Sequence, residues 1–261
     1  MHYCQGWGVG VPLDYTPSKP ESVPTVVNYE RIDAVLELLE PAWWHNWMAT
    51  FYGRHPVSWR PTVWRKLIEA GVVKDFPSYS WITLNEPEQA SQANFPRDKA
   101  LRQVIHQVDI MHSLGLAHEF VIVTPNVNIS TPEGLEYLDY VVRGLRRRAV
   151  HIHLGVHFYV RSKDWFDLAI ERFWTWYEDL GWQVPVIFTE CGVPPGEPLD
   201  VALDMMPRFR ELLVDPRVLG MAWYGAFATI MPEGAYHGLL RRAGDDRWEL
   251  NELGKLWMKL K

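Results

Sequence analysis

Two spacings of apolar residues alternate along the chain. Short apolar runs bounded by glycine or proline read as strands at Gln5–Val11, Ala42–Met48, Val57–Trp59, Trp81–Glu86, Phe120–Thr124, His151–Tyr159, Pro185–Glu190 and Val218–Tyr224. Between them the apolar positions recur at helical spacing. Asn28 can cap a helix carrying Ile32, Val35, Leu36 and Leu39. Thr62–Ala70 presents Val63, Leu67 and Ile68 and stops at Gly71, and Lys99–Leu114 presents Leu101, Val104, Ile105 and Val108 and stops at Gly115. Thr131-Pro132-Glu133 sets a cap, a first-position proline and a first-turn acid in order, and that helix ends in the basic run Arg143–Arg148. Asp164–Leu180 ends at Gly181, Leu199–Val214 carries Pro207 as a kink or restart, and Leu250–Leu260 reads as a closing helix. Strands alternate with helices without an internal linker, which predicts one α/β domain over residues 1–261. The strands are continuously apolar rather than alternating, as in a parallel sheet buried on both faces. A single-domain (β/α)₈ TIM barrel is the expected fold.

Composition narrows the function. The chain has 261 residues, enough for one such barrel. Its net charge of −6 argues against nucleic acid and favours a neutral or cationic ligand. No apolar run approaches membrane-spanning length, so no membrane partner is expected. The amino terminus shows no signal-peptide pattern, which suits a cytoplasmic chain or a mature secreted form. Cys4 and Cys191 fall on strands that a barrel keeps apart, so both are expected as free thiols. Fourteen tryptophans point to some exposed aromatic platforms. Trp165, Trp174 and Trp176 lie at helical positions and are expected in core packing.

Chemistry concentrates at two strand ends. Trp81-Ile82-Thr83-Leu84-Asn85-Glu86-Pro87 delivers an amide and a carboxylate, and Pro87 forbids the ladder to continue. Val186-Ile187-Phe188-Thr189-Glu190-Cys191-Gly192 repeats the design, with its glutamate 104 residues further on. Either glutamate alone reads more readily as a solvated or arginine-paired carboxylate. Together, at the carboxyl ends of two barrel strands, they meet the needs of glycoside hydrolysis.

Asn-Glu-Pro closing one strand and Thr-Glu-Cys-Gly closing another resembles the retaining glycoside hydrolases of clan A. Within the clan, the size and Trp44-His45-Asn46-Trp47 are loosely similar to glycoside hydrolase family 128 and other compact β-glucanases. The resemblance implies Glu190 as nucleophile, Glu86 as general acid/base, and Asn85 as donor to the sugar 2-hydroxyl. It implies that Tyr159 supports the nucleophile and that His157 contacts substrate. Trp223 would be the sugar platform, and His45, Asn46 and Trp47 would contact substrate at the end of strand two. Arg54 or Arg60 could hold the nucleophile's charge. Each has a plainer reading: Asn85 as a turn residue, His157 as a hydrogen-bonded core histidine, Trp223 as core.

The period of two puts His153, Gly155, His157 and Tyr159 on one face of strand six, with His151 and His153 near its start and structural. No metal motif and no cofactor fingerprint is present, so neither metal nor cofactor is expected. The expected activity is a retaining β-glycosidase acting on a glucan-type polysaccharide or oligosaccharide, as a monomer. A non-catalytic carbohydrate-binding barrel and a metal-dependent barrel hydrolase are the rival functions.

Overall fold

A computed structural model describes residues 6–10, 29–45, 80–115, 121–148, 151–226, 230–231, 234–235, 237–243 and 247–261. The elements are β1 (Gly6–Gly10), α1 (Tyr29–Leu39), β2 (Trp43–His45), β3 (Ser80–Ile82), α2 (Arg97–Ser113), β4 (Val121–Val123), β5 (Val127–Asn128) and α3 (Pro132–Arg146). They continue with β6 (Ile152–Tyr159), α4 (Lys163–Leu180), β7 (Val186–Gly192), α5 (Leu199–Leu212) and β8 (Val218–Tyr224). Two short hairpins follow, β9 (Ile230–Met231) with β10 (Gly234–Ala235) and β11 (Leu240–Arg242) with β12 (Trp248–Leu250). Helix α6 (Glu252–Leu260) ends the chain. The expected third barrel strand at Val57–Trp59, the helix Thr62–Ala70, and Cys4 lie outside the described residues.

One eight-stranded parallel sheet runs in the order β2-β1-β8-β7-β6-β4-β3, with β5 beside β6. The first strand pairs with the last, Gly8 opposite Ala222, so the sheet curls back on itself as a (β/α)₈ barrel. Alternation along each strand then separates two cores. Trp43, Ile82, Val123, Ile187 and Ala222, one from each of five strands, fill the barrel interior. Gly8 is required there, because a Cβ would collide with the indole of Trp43. The larger core lies between sheet and helices, where Phe158, Phe166, Phe188 and Phe209 meet edge to face or tilted at 5.1–6.0 Å.

The helix signals act as the residues predict. Thr131 Oγ1 accepts the Gly134 N–H at 3.1 Å with Pro132 in the first turn, and Ser162 Oγ caps α4 through Trp165 N–H. Pro207 does not interrupt α5, which runs unbroken through it. The last helix begins at Glu252, behind an Asn251 cap, because Trp248–Leu250 pairs as a strand first. Trp257 buries against Trp7 and packs this helix onto β1. Cys191 is a free, buried thiol. Trp165 corrects an expectation, being 44 % exposed rather than core, while Trp174 and Trp176 are half-buried. No helix among the described residues is long and apolar enough to cross a membrane.

Candidate active site

The exit from β3 is held by backbone bonds to the segment after β4. Asn126 N–H donates to the Leu84 carbonyl at 3.0 Å, and Glu86 N–H donates to the Asn126 carbonyl at 2.8 Å. This turns the chain sharply enough that Leu84 has φ 21° and Glu86 φ 40°. A left-handed backbone at a residue with a Cβ costs on the order of 1–3 kcal/mol and persists only where surroundings enforce it. The outcome is that Glu86 leaves the sheet and turns its carboxyl inward, where it is buried.

Glu190 arrives differently. It stays within β7, but β7 carries one extra residue. Val156 pairs with Phe188 and His157 with Glu190 on one side, and Phe188 pairs with Met221 and Cys191 with Trp223 on the other. Thr189 is therefore a bulge. Ile187 and Glu190, three residues apart, both point into the barrel. His45 Nε2–H donates to the carbonyl of Thr189 at 3.0 Å and holds the bulge from β2.

His157, on β6 between the two glutamates, joins them. Its Nδ1 is 2.9 Å from Glu86 Oε1 and 3.3 Å from Glu190 Oε2, so Nδ1 carries the proton and both carboxyls can accept it. The ring is fully buried, and burial lowers its pKa against the opposing pull of Glu190 and Glu88, which keeps it neutral. One ligand atom from each of Glu86, His157 and Glu190 falls within 4.8 Å of the others. Tyr159 O–H donates to Glu190 Oε2 at 2.6 Å. Ser130 brackets the Tyr159 backbone, donating its hydroxyl to the carbonyl at 2.7 Å and accepting the N–H at 3.1 Å. Arg172, from α4, ties down Ser130 and Ile129 through their carbonyls.

Burial pushes the Glu86 carboxyl up from its usual 4.5 to about 7, so it holds a proton near neutrality. Glu190 receives the phenol O–H of Tyr159, the donor an ionised carboxylate requires. Two carboxyls thus sit at one point with different hydrogen-bond donors. The same three side chains also form a donor set that a divalent cation could use, at the carboxyl end of the barrel rather than its base.

Asn85, Glu86, His157, Tyr159 and Glu190 are brought together. Asn85 is buried, its side-chain oxygen has no partner among the described residues, and its backbone bridges to Asn126. His45 is close by but fully enclosed. Burial, then the neighbouring His157, lowers it to about 3, so it supports β7 and does not face a ligand. His157 is likewise sealed beneath the carboxyls. Trp223 is placed elsewhere, because on β8 the alternation sends Ala222 inward and Trp223 outward. Its ring is 0 % exposed, lies edge-on to Phe209 at 5.9 Å, and donates its N–H to the His237 carbonyl. The aromatic on the site side is Tyr224, edge-on to Tyr159 at 5.9 Å. Asn46, Trp47, Arg54 and Arg60 lie outside the described residues.

Sequence reasoning missed Asn126. Its amide is buried with neither atom partnered among the described residues, and a Cβ on Gly155 would strike it. The available signal was Gly155 itself, a glycine among inward-facing residues of a buried strand, which marks a close approach.

Comparison with known proteins bears on the fold and the family. No curated protein sequence matches the chain. Among solved structures, an Amycolatopsis mediterranei family 128 (subgroup I) endo-β-1,3-glucanase bound to laminaritriose superposes with TM-score 0.68 at 18 % identity, covering 99 % of this chain and 100 % of that one. An Aureobasidium namibiae family 128 (subgroup VI) exo-β-1,3-glucanase gives 0.69 at 17 % identity, covering 96 % of each chain. A Lentinula edodes family 128 (subgroup IV) endo-β-1,3-glucanase gives 0.67 at 14 % identity, covering 96 % of this chain and 98 % of that one. At such identities the likeness establishes the barrel fold. The model of the glycosyl hydrolase catalytic core matches residues 35–257, nearly all of the barrel, and the chain belongs to that glycoside hydrolase family.

Proposed function

We propose that this chain is a retaining β-glucanase that cleaves β-1,3-linked glucan by a two-glutamate double displacement. The observation that carries the reading is the grouping of Glu86, Glu190 and His157 ligand atoms within 4.8 Å. Retaining enzymes place their carboxyls about 5–5.5 Å apart, whereas inverting ones leave roughly 6.5–9.5 Å for a water. The β-1,3 linkage is suggested by the solved structures of similar fold, whose proteins are endo- or exo-β-1,3-glucanases.

In this mechanism Glu190 attacks the anomeric carbon while Glu86 passes its proton to the departing glycosidic oxygen. Glu86, now ionised, then takes a proton from water, which displaces Glu190 from the sugar. His157 N–H bridges both carboxyls throughout and can follow the negative charge as it moves from one to the other. Tyr159 O–H steadies Glu190 before attack and after release.

The test is product stereochemistry. Laminari-oligosaccharides incubated with the protein should release the β-anomer first, seen by proton NMR before mutarotation. Initial α-anomer would mean inversion, and no release from any β-glucan would reject the substrate. Activity should persist in a chelator; its loss there, with recovery on adding a divalent cation, would turn the Glu86–His157–Glu190 group into a metal site.

A further inference from the structure

On the helical wall of the barrel, α2, α3 and α4 border a cavity of about 570 Å³, a size that suits a small ligand. It shares no residue with the Glu86–His157–Glu190 group. Helix α3 supplies its floor, because Glu136, Tyr140 and Gly144 recur every four residues, with Asp139, Arg143 and Arg147 beside them. Gly144 keeps that floor low, since a Cβ there would strike the Leu101 side chain of α2. Arg97, also of α2, lies over the Tyr140 ring at 4.8 Å. From α4, Trp176 donates its indole N–H to Asp139 Oδ1 at 2.8 Å. Arg143 Nε donates to both oxygens of the same carboxylate, at 2.8 and 2.9 Å. Asp139 therefore fixes an aromatic ring and a guanidinium on the wall before any ligand arrives. Tyr140 is 38 % exposed. Trp165, Arg172 and Trp176 stand on one side of α4, so the exposed Trp165 extends the aromatic surface along that helix.

The wall mixes donors and acceptors. The guanidiniums of Arg97, Arg143, Arg147 and Arg172 can only donate, and the ionised carboxylates of Glu136 and Asp139 can only accept. An anion would meet the carboxylates, and a cation would meet the guanidiniums. A sugar ring avoids both conflicts, since each hydroxyl donates and accepts and its apolar C–H face can lie on an aromatic ring. We propose that this cavity is a second carbohydrate site, which holds a stretch of β-glucan on the outside of the barrel while the catalytic cleft works on another. The proposal rests on the reading of the chain as a β-glucanase. A polymer, or a particle of many chains, can occupy both sites at once, so the second site raises the effective concentration of substrate at the first. A short oligosaccharide fills one site at a time and gains nothing.

In Glu190→Gln, made to bind without turnover, laminarihexaose should shift the Trp176 indole N–H signal in ¹⁵N NMR, and adding Tyr140→Ala should abolish that shift. An indole signal that does not move overturns the proposal, as does one moved by inorganic phosphate and not by the sugar. A second measurement uses the active enzyme. Tyr140→Ala and, separately, Glu136→Gln should each weaken co-sedimentation with insoluble β-1,3-glucan roughly three- to tenfold, with kcat/KM on laminaritriose unchanged. Both side chains are exposed, so neither change threatens the fold. Unaltered co-sedimentation in both variants overturns the second site. Equal loss of kcat/KM on laminaritriose does the same, because it would make the cavity part of catalysis. If the wild type neither binds nor cleaves any β-glucan, the proposed function fails and this site with it. If it cleaves laminaritriose while the Trp176 signal stays still, only the second site fails.

Discussion

The two strand ends that supply the carboxyls reach the same point by opposite means. At the end of β3 the backbone leaves the ladder, takes a left-handed turn at Glu86, and hands over a carboxyl that, among the described residues, shares the His157 N–H. At the end of β7 the backbone stays in the ladder, and one extra residue precedes Glu190, which faces the axis beside the Tyr159 hydroxyl. Residue type is identical at both ends. In the mechanism proposed above, the proton carrier and the nucleophile differ in the donors that the local backbone and its neighbours bring.

That contrast can be broken from either end. Glu190→Ala should cause the largest loss, roughly 10⁴-fold or more in kcat on laminari-oligosaccharides, as for removal of a covalent nucleophile. Azide should restore turnover and yield the inverted glycosyl azide; equal activity without rescue would assign the nucleophile elsewhere. Glu86→Ala should cost about 10²–10⁴-fold on natural glucan but much less on aryl glycosides with activated leaving groups, which need no proton. Equal losses on both substrates would reverse the two roles. Tyr159→Phe removes one hydrogen bond to a charged group, worth about 1.5–3 kcal/mol, and should lower kcat/KM about 10- to 100-fold with little change in melting. The smallest effect is on stability. Glu86 and Glu88 have folded-state pKa values near 7 against a usual 4.5, so the stability they contribute is complete below about 4.5 and is lost as pH rises through about 7. Wild type should therefore lose melting temperature relative to Glu86→Gln/Glu88→Gln as pH rises from about 5 to about 8. A constant difference across that range would remove the protonation argument.

Much of this was legible in the chain. The barrel followed from eight apolar runs separated by helical spacing, because parallel strands buried on both faces leave that signature. The strand-six alternation placed His157 and Tyr159 on the face that carries the site. Trp223 shows where such reading stops. A tryptophan near a strand end fits both a platform and a core residue, and only the pairing of β8 with β7 decides which face it takes. His45 was readable as a polar residue at a strand end, but its bond to the Thr189 carbonyl depends on a bulge that no local pattern announces. Asn126 escaped because its role lies in backbone bonds to Leu84 and Glu86, contacts between segments some forty residues apart.

The unpaired Thr189 has a hereditary consequence. Glu190 shares a face with Ile187 although three positions separate them, because the bulge absorbs one. Loss of the Thr189 codon would therefore leave a regular strand with the glutamate still opposite His157 and facing the axis. What would vanish is the carbonyl that His45 holds from β2. The recognisable Glu-Cys-Gly would survive intact in the gene. In a descendant of this chain, a shortened β7 would still deliver its carboxyl, but without the tie to β2.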